Sequence, residues 1–150
     1  LGALKYFDLS HHRKSDIVFR WEDALAFEGN SGPYLQYTHA RLKSVLKKFG
    51  AEPDELPRGV APDPVERTLL TTLLRFPEAV EDALVDYAPS VLANFLFHLA
   101  QRVNEFYHSH PVTQERNTDT RQLRAALVAG AAITLARGLD LLGIQAPEEM

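Results

Sequence analysis

The chain has 150 residues, 45% hydrophobic and 24% charged, enough for one ordinary core and too few for two comfortable domains. With no run of roughly eighteen apolar residues and no signal-like opening, a soluble cytoplasmic protein with no membrane partner is expected, and the absence of cysteine excludes disulfides, thiolate metal sites and thiol chemistry. A net charge of −4 and a pI near 5.8 exclude a surface that coats nucleic acid throughout, but leave room for a local basic patch.

The opening Leu1-Gly2-Ala3, in place of methionine, suggests a piece of a longer chain. Residues 1 to 20 mix aromatic and polar side chains without sustained periodicity. They read as a connector, with Ile17-Val18-Phe19 as a short extended piece. A brief helix is expected around Trp21 to Phe27, followed by a loop at Gly29-Asn30-Ser31-Gly32. Pro33 then suits the first turn of a helix reaching Phe49, because its missing amide would have had no intrahelical partner there. Residues 50 to 64 hold four prolines and two glycines and read as a surface loop. Val65, Leu69, Leu70, Leu73 and Leu74 predict a helix up to Phe76. After Pro77, Val80, Ala83, Leu84 and Tyr87 predict another. Pro89 opens a longer helix, carried by Leu92, Leu96, Leu99, Val103 and Phe106 up to Pro111. The last helix runs from about Asp119 to Leu142, where Gly143 stops it. No stretch alternates with period two for long enough to form a sheet, so the fold class expected for residues 21 to 150 is an all-α helical bundle.

The 33 to 49 helix carries the most information. At about 100° per residue, Leu42, Leu46 and Phe49 fall within about 40° of Leu35 and form a core stripe. Tyr34, Tyr37, Arg41 and Lys48 gather in a sector roughly 100° to 160° away. From Gly29 to Ala51 there are four Lys and Arg residues and no acid. Rings interleaved with cations suit unpaired bases and their phosphates, rings for the bases and cations for the backbone. The same spacing also fits tyrosines at a core edge with solvated charges, or an aromatic interface to another protein.

The run Phe27-Glu28-Gly29-Asn30-Ser31-Gly32-Pro33-Tyr34-Leu35-Gln36-Tyr37-Thr38-His39-Ala40-Arg41 resembles an element that arginyl-tRNA synthetases carry just after their catalytic domain. Ala93 to Pro111 looks like that family's long central helix. Gly138 to Met150, with Leu141-Leu142-Gly143-Ile144 and Pro147-Glu148-Glu149-Met150, looks like its closing motif. The resemblance spans essentially the whole chain and implies an anticodon-binding domain for tRNA(Arg), belonging to an enzyme that joins arginine to tRNA with ATP and Mg2+. It also implies that Tyr34 and Tyr37 lie against the anticodon loop, that Tyr107 lines the same pocket and that Met150 reaches it. A polarizable thioether suits a ring-lined enclosure. Four positions depart from the usual pattern. Glu149 stands where arginine is common, Thr38 replaces an alanine, Arg20 replaces an aspartate, and His110 stands where cysteine is frequent.

Other signals are weaker. His108 and His110 are adjacent in spacing, but His98 lies nearly three turns, about 15 Å, away along the helix, so no metal set is expected. His11 to Ser15 reads as a solvated part of the connector. Glu78, Glu81, Asp82 and Asp86 read as a solvated acidic face that would repel RNA. Arg121, Arg124 and Arg137 form a second positive strip on the last helix, which either touches phosphates or simply faces solvent. No phosphate loop, nucleophile elbow or metal-spaced histidine pair occurs. No catalytic residue and no bound cofactor are therefore expected in this chain, and its expected partners are the tRNA(Arg) anticodon stem-loop and the catalytic domain of the same polypeptide. The rival readings are a helical protein-interaction module and the corresponding domain of another class I synthetase.

Overall fold

The structure is a computed structural model that describes residues 1–50, 57 and 59–150. Part of the expected 50 to 64 loop, residues 51–56 and 58, lies outside the described residues. Those described form seven helices and no strand: α1 (Gly2–Ser10), α2 (Trp21–Ala24), α3 (Gly32–Phe49), α4 (Pro64–Leu74), α5 (Phe76–Val85), α6 (Pro89–Ser109) and α7 (Thr118–Leu141). No helix is long and apolar enough to cross a membrane.

The boundaries follow from capping chemistry. Ser31 Oγ accepts the Tyr34 amide at 3.2 Å, Pro33 sits in the first turn, and Gly50 closes α3 at φ 91°, a conformation that costs glycine little. Asp63 and Glu66 form a reciprocal capping box at the start of α4. Beyond α7, Gly143 takes φ 68°, and the Ile144 amide donates back to Leu139 O at 2.8 Å, which turns the chain out of the helix. The two long helices form the centre, α6 in contact with α1, α3, α4, α5 and α7, and α7 in contact with α3, α4 and α6. Small residues let its neighbours approach closely. A Cβ at Gly138 would collide with Leu96 of α6. Leu96, Leu99, Leu135 and Leu139 are fully buried around this crossing, each worth about 1.5 to 3 kcal/mol by transfer from water.

The first twenty residues differ from the expectation of a segment without helical periodicity. Residues 2–10 form α1, which packs on α3 and α6. Its inward face is Gly2, Tyr6 and Leu9, a helical spacing too short to register as a pattern. Tyr6 is completely buried, and its hydroxyl is shared between Ala93 O at 2.9 Å and Asn30 Oδ1 at 2.6 Å. Burial pushes this phenol well above its ordinary pKa and keeps it a donor. α1 also explains Gly32. A Cβ there would stand 3.0 Å from Tyr6 Cβ and 3.1 Å from Ala3 Cα, so this glycine is needed for close helix approach. The positive φ of this loop lies at Gly29 instead.

Candidate nucleic-acid interface

α3 presents two strips side by side. Along one, Gln36, His39, Lys43 and Lys47 recur at helical spacing and hold the segment that follows α7. Gln36 Nε2 donates to Gln145 O at 2.7 Å, and the buried His39 ring nitrogen bonds Pro147 O at 2.8 Å. Lys43 and Lys47 each lie 3.4 Å from a carboxylate oxygen, of Glu148 and Glu149 respectively. Ile144 anchors the start of this tail in the core. The tail therefore runs parallel to α3 and delivers Met150, 60% exposed, to the groove that Tyr37 and Arg41 also line. The groove between tail and helix encloses about 840 Å3, room for a planar ligand of nucleotide size.

The second strip carries the rings. Tyr37 is 42% exposed and meets Phe27 edge to face, with ring centroids 6.3 Å apart. The Arg41 guanidinium sits 4.1 Å over the ring of Tyr107, from α6, and 5.8 Å from the centroid of Tyr37. One cation thus bridges two half-exposed tyrosines from different helices. Such cation–π contacts, worth about 0.5 to 2 kcal/mol, fix the guanidinium while leaving ring surface open. Tyr37, Arg41 and Met150 share the groove lining, and Arg41 links them to Tyr107, which stands outside that lining.

Other expected residues lie elsewhere. Tyr34 turns into the seam between α3 and α6, where its ring lies 5.9 Å from that of Phe97 and its hydroxyl accepts from Asn104 Nδ2 at 2.6 Å. It supports the face from beneath. Lys48 is exposed on the aromatic side of α3, outside the groove lining. Arg124 is not an outward cation. Its side chain is only 12% exposed, its Nε donates to Glu66 at 2.8 Å, and its Nη1 donates to Glu115 at 2.8 Å and to Pro111 O at 3.1 Å. Arg121 is half-buried, and its Nε has no hydrogen-bond partner among the described residues. The second positive strip is therefore broken, because long-range acids draw its middle member inward. Thr38 is buried and bonds back to Tyr34 O at 2.8 Å.

Lys43, Lys47 and Phe27 border the face without having been singled out. The successive steps of three, four and four residues from Gln36 through His39 and Lys43 to Lys47 were visible in the sequence. What gives them meaning is the returning tail, which is set by tertiary structure. Among the described residues, Asp63, Glu66 and His110 bring possible ligand atoms within 4.8 Å of one another. Arg124 already compensates Glu66, and His110 Nε2 pairs with Asp63 Oδ2 at 2.5 Å. Burial alone would push the Asp63 carboxyl up, but hydrogen bonds from the Glu66 amide, the His110 ring and the Val65 amide, with the His110 charge, outweigh it and hold it below its ordinary value. This cluster braces the α4–α7 side of the bundle.

Comparison with known proteins bears on the family and the fold. The family described as DALR anticodon binding domain matches residues 35–150. Arginine–tRNA ligases from Vibrio parahaemolyticus and Ignicoccus hospitalis are 40% and 41% identical over the whole of this chain, which spans 26% and 24% of their lengths. The solved arginyl-tRNA synthetase of Thermus thermophilus superposes with a TM-score of 0.93 at 42% identity, over 99% of this chain and 26% of that one. The Plasmodium falciparum arginyl-tRNA synthetase superposes with a TM-score of 0.86 at 27% identity, over the same share of each chain.

Proposed function

Given that the chain belongs to the DALR anticodon-binding domain family, in the form found in arginine–tRNA ligases, we propose that it grips the anticodon loop of tRNA(Arg) on the face built by Tyr37, Arg41, Tyr107 and Met150. The observation that carries this reading is the Tyr37–Arg41–Tyr107 stack beside the groove that ends at Met150. A flipped-out base gains about 1 to 3 kcal/mol on an aromatic ring, and Arg41 offers a fixed positive donor set in the same space. Lys48 supplies phosphate attraction at the edge. Tyr34 acts by holding α3 against α6. Because the chain spans about a quarter of its relatives, ATP- and Mg2+-dependent attachment of arginine in the cytoplasm is assigned to the whole parent enzyme, for which this domain orients the tRNA.

The test is specificity. An RNA hairpin carrying an arginine anticodon should bind the chain more tightly than the same hairpin with all anticodon bases changed. Stacking with any base-edge contact favours the first by roughly tenfold or more. Equal affinity for the two would reduce the face to a general single-strand binder.

A further inference from the structure

The groove carries its own counter-charge. Among the residues lining it, Arg41, Lys43 and Lys47 face Glu148 and Glu149, so two carboxylates offset three cations where a phosphate backbone would arrive. The two acids are not equivalent. Lys43 is mostly covered, whereas the Lys47–Glu149 pair is open to solvent, with side chains 80% and 85% exposed. The tail does not depend on this outer pair for its course. Buried His39 holds Pro147 O, Gln36 holds Gln145 O, and Ile144 is embedded in the core. A solvent-exposed pair contributes little to stability, and a phosphate oxygen asks of Lys47 the same contact that Glu149 Oε1 now has.

Resting on the anticodon-loop reading above, we propose that Glu149 is a built-in competitor for RNA phosphate at Lys47, weakening tRNA binding at this groove and easing release. An incoming phosphate must displace the carboxylate from the ammonium and then tolerate its negative charge nearby. Glu149 therefore lowers affinity, and does so through charge. Met150, the next residue, keeps its place on the face throughout, because the tail's inner anchors are untouched.

The experiment titrates the 150-residue chain and its variants with the arginine-anticodon hairpin at several salt concentrations, after circular dichroism confirms equal helix content. Glu149→Gln should bind about two- to five-fold more tightly at low salt, the range an exposed ion pair commands. Its log-affinity against log-salt slope should steepen by up to about 0.7, the value for one phosphate charge neutralised on a single strand, because the Lys47 charge is no longer offset. In a Lys47→Gln background, Glu149→Gln should lose most of that gain. Weaker binding by Glu149→Gln would overturn the proposal and make the pair a clasp for Met150. Unchanged affinity and slope, with Tyr37→Ala still impaired, would overturn it while leaving the anticodon-loop reading intact. Failure of the parent chain to bind the hairpin would overturn both.

Discussion

Two stretches of this chain, Gly29 to Ala51 and Thr120 to Leu139, carry cations and no acid of their own, and the fold treats them in opposite ways. On α3, Arg41 is directed outward between two tyrosine rings. On α7, Arg124 is drawn inward to Glu66, which lies 58 positions away in sequence, and to Glu115. Local charge pattern cannot separate the two cases, because the acids that capture Arg124 arrive from α4 and from the turn before α7. Where a cation ends up depends on which carboxylates the topology brings within reach, and one buried in its ion pairs, as Arg124 is, is withdrawn from any ligand.

That contrast can be broken at its α7 end first. Glu66 is almost completely buried, so Arg124→Ala leaves an uncompensated charge in the interior. It should cost about 3 to 5 kcal/mol of folding stability, read as a lowered urea midpoint. A change below about 1 kcal/mol would return Arg124 to the class of surface cations. Next in size is Gly32→Val, where overpacking against Tyr6 and Ala3 should cost about 1 to 3 kcal/mol and loosen α1 from α3. Normal stability would show that the two helices can part without cost.

The smallest effect lies at Asp63. Its carboxyl is held below the ordinary 3.8 in the folded chain. Its contribution is therefore present above 3.8 and is lost as pH falls through the lower folded value. Urea midpoints of the parent should fall on acidification below about pH 4, and Asp63→Asn should flatten part of that fall. Some acid dependence should persist, because hydrogen bonding to the Asn117 amide, with the nearby Arg124 charge, overcomes desolvation to hold the Glu115 carboxyl down as well. Identical acid profiles for the two proteins would remove Asp63 from the brace.

Much of this was legible in the sequence. The all-helical class, the limits of α3 and α6, and the grouping of Tyr37 with Arg41 follow from apolar periodicity over more than four turns and from the prolines and glycines at the ends, whereas α7 is read from its long apolar content and from Gly143. What was not legible has physical reasons. α1 is only nine residues long and buries one large side chain, too little to show a period. In the sequence Gly32 reads only as a loop residue, whereas its value is the absence of a side chain under α1. Tyr34 shares an angular sector with Tyr37, yet one turn of offset places it in the α6 seam, where Asn104 and Phe97 meet it. Lys43 and Lys47 border the face only because the tail folds back along α3, a contact across about a hundred positions (Lys47 to Glu149, separation 102).

The most direct measurement sets Tyr37→Ala, Lys48→Ala and Arg124→Ala side by side in two assays, hairpin titration across salt and urea unfolding. Tyr37→Ala should lose about 1 to 3 kcal/mol of binding with an unchanged salt slope and near-parental stability. Lys48→Ala should lower the magnitude of the slope by about 0.7 to 1, with a milder loss at high salt. Arg124→Ala should lose stability and, at temperatures where it remains folded, bind with the parental slope. Parental affinity in folded Tyr37→Ala, or a shallower slope in folded Arg124→Ala, would mean that the RNA is gripped by α7 and not by the aromatic face of α3.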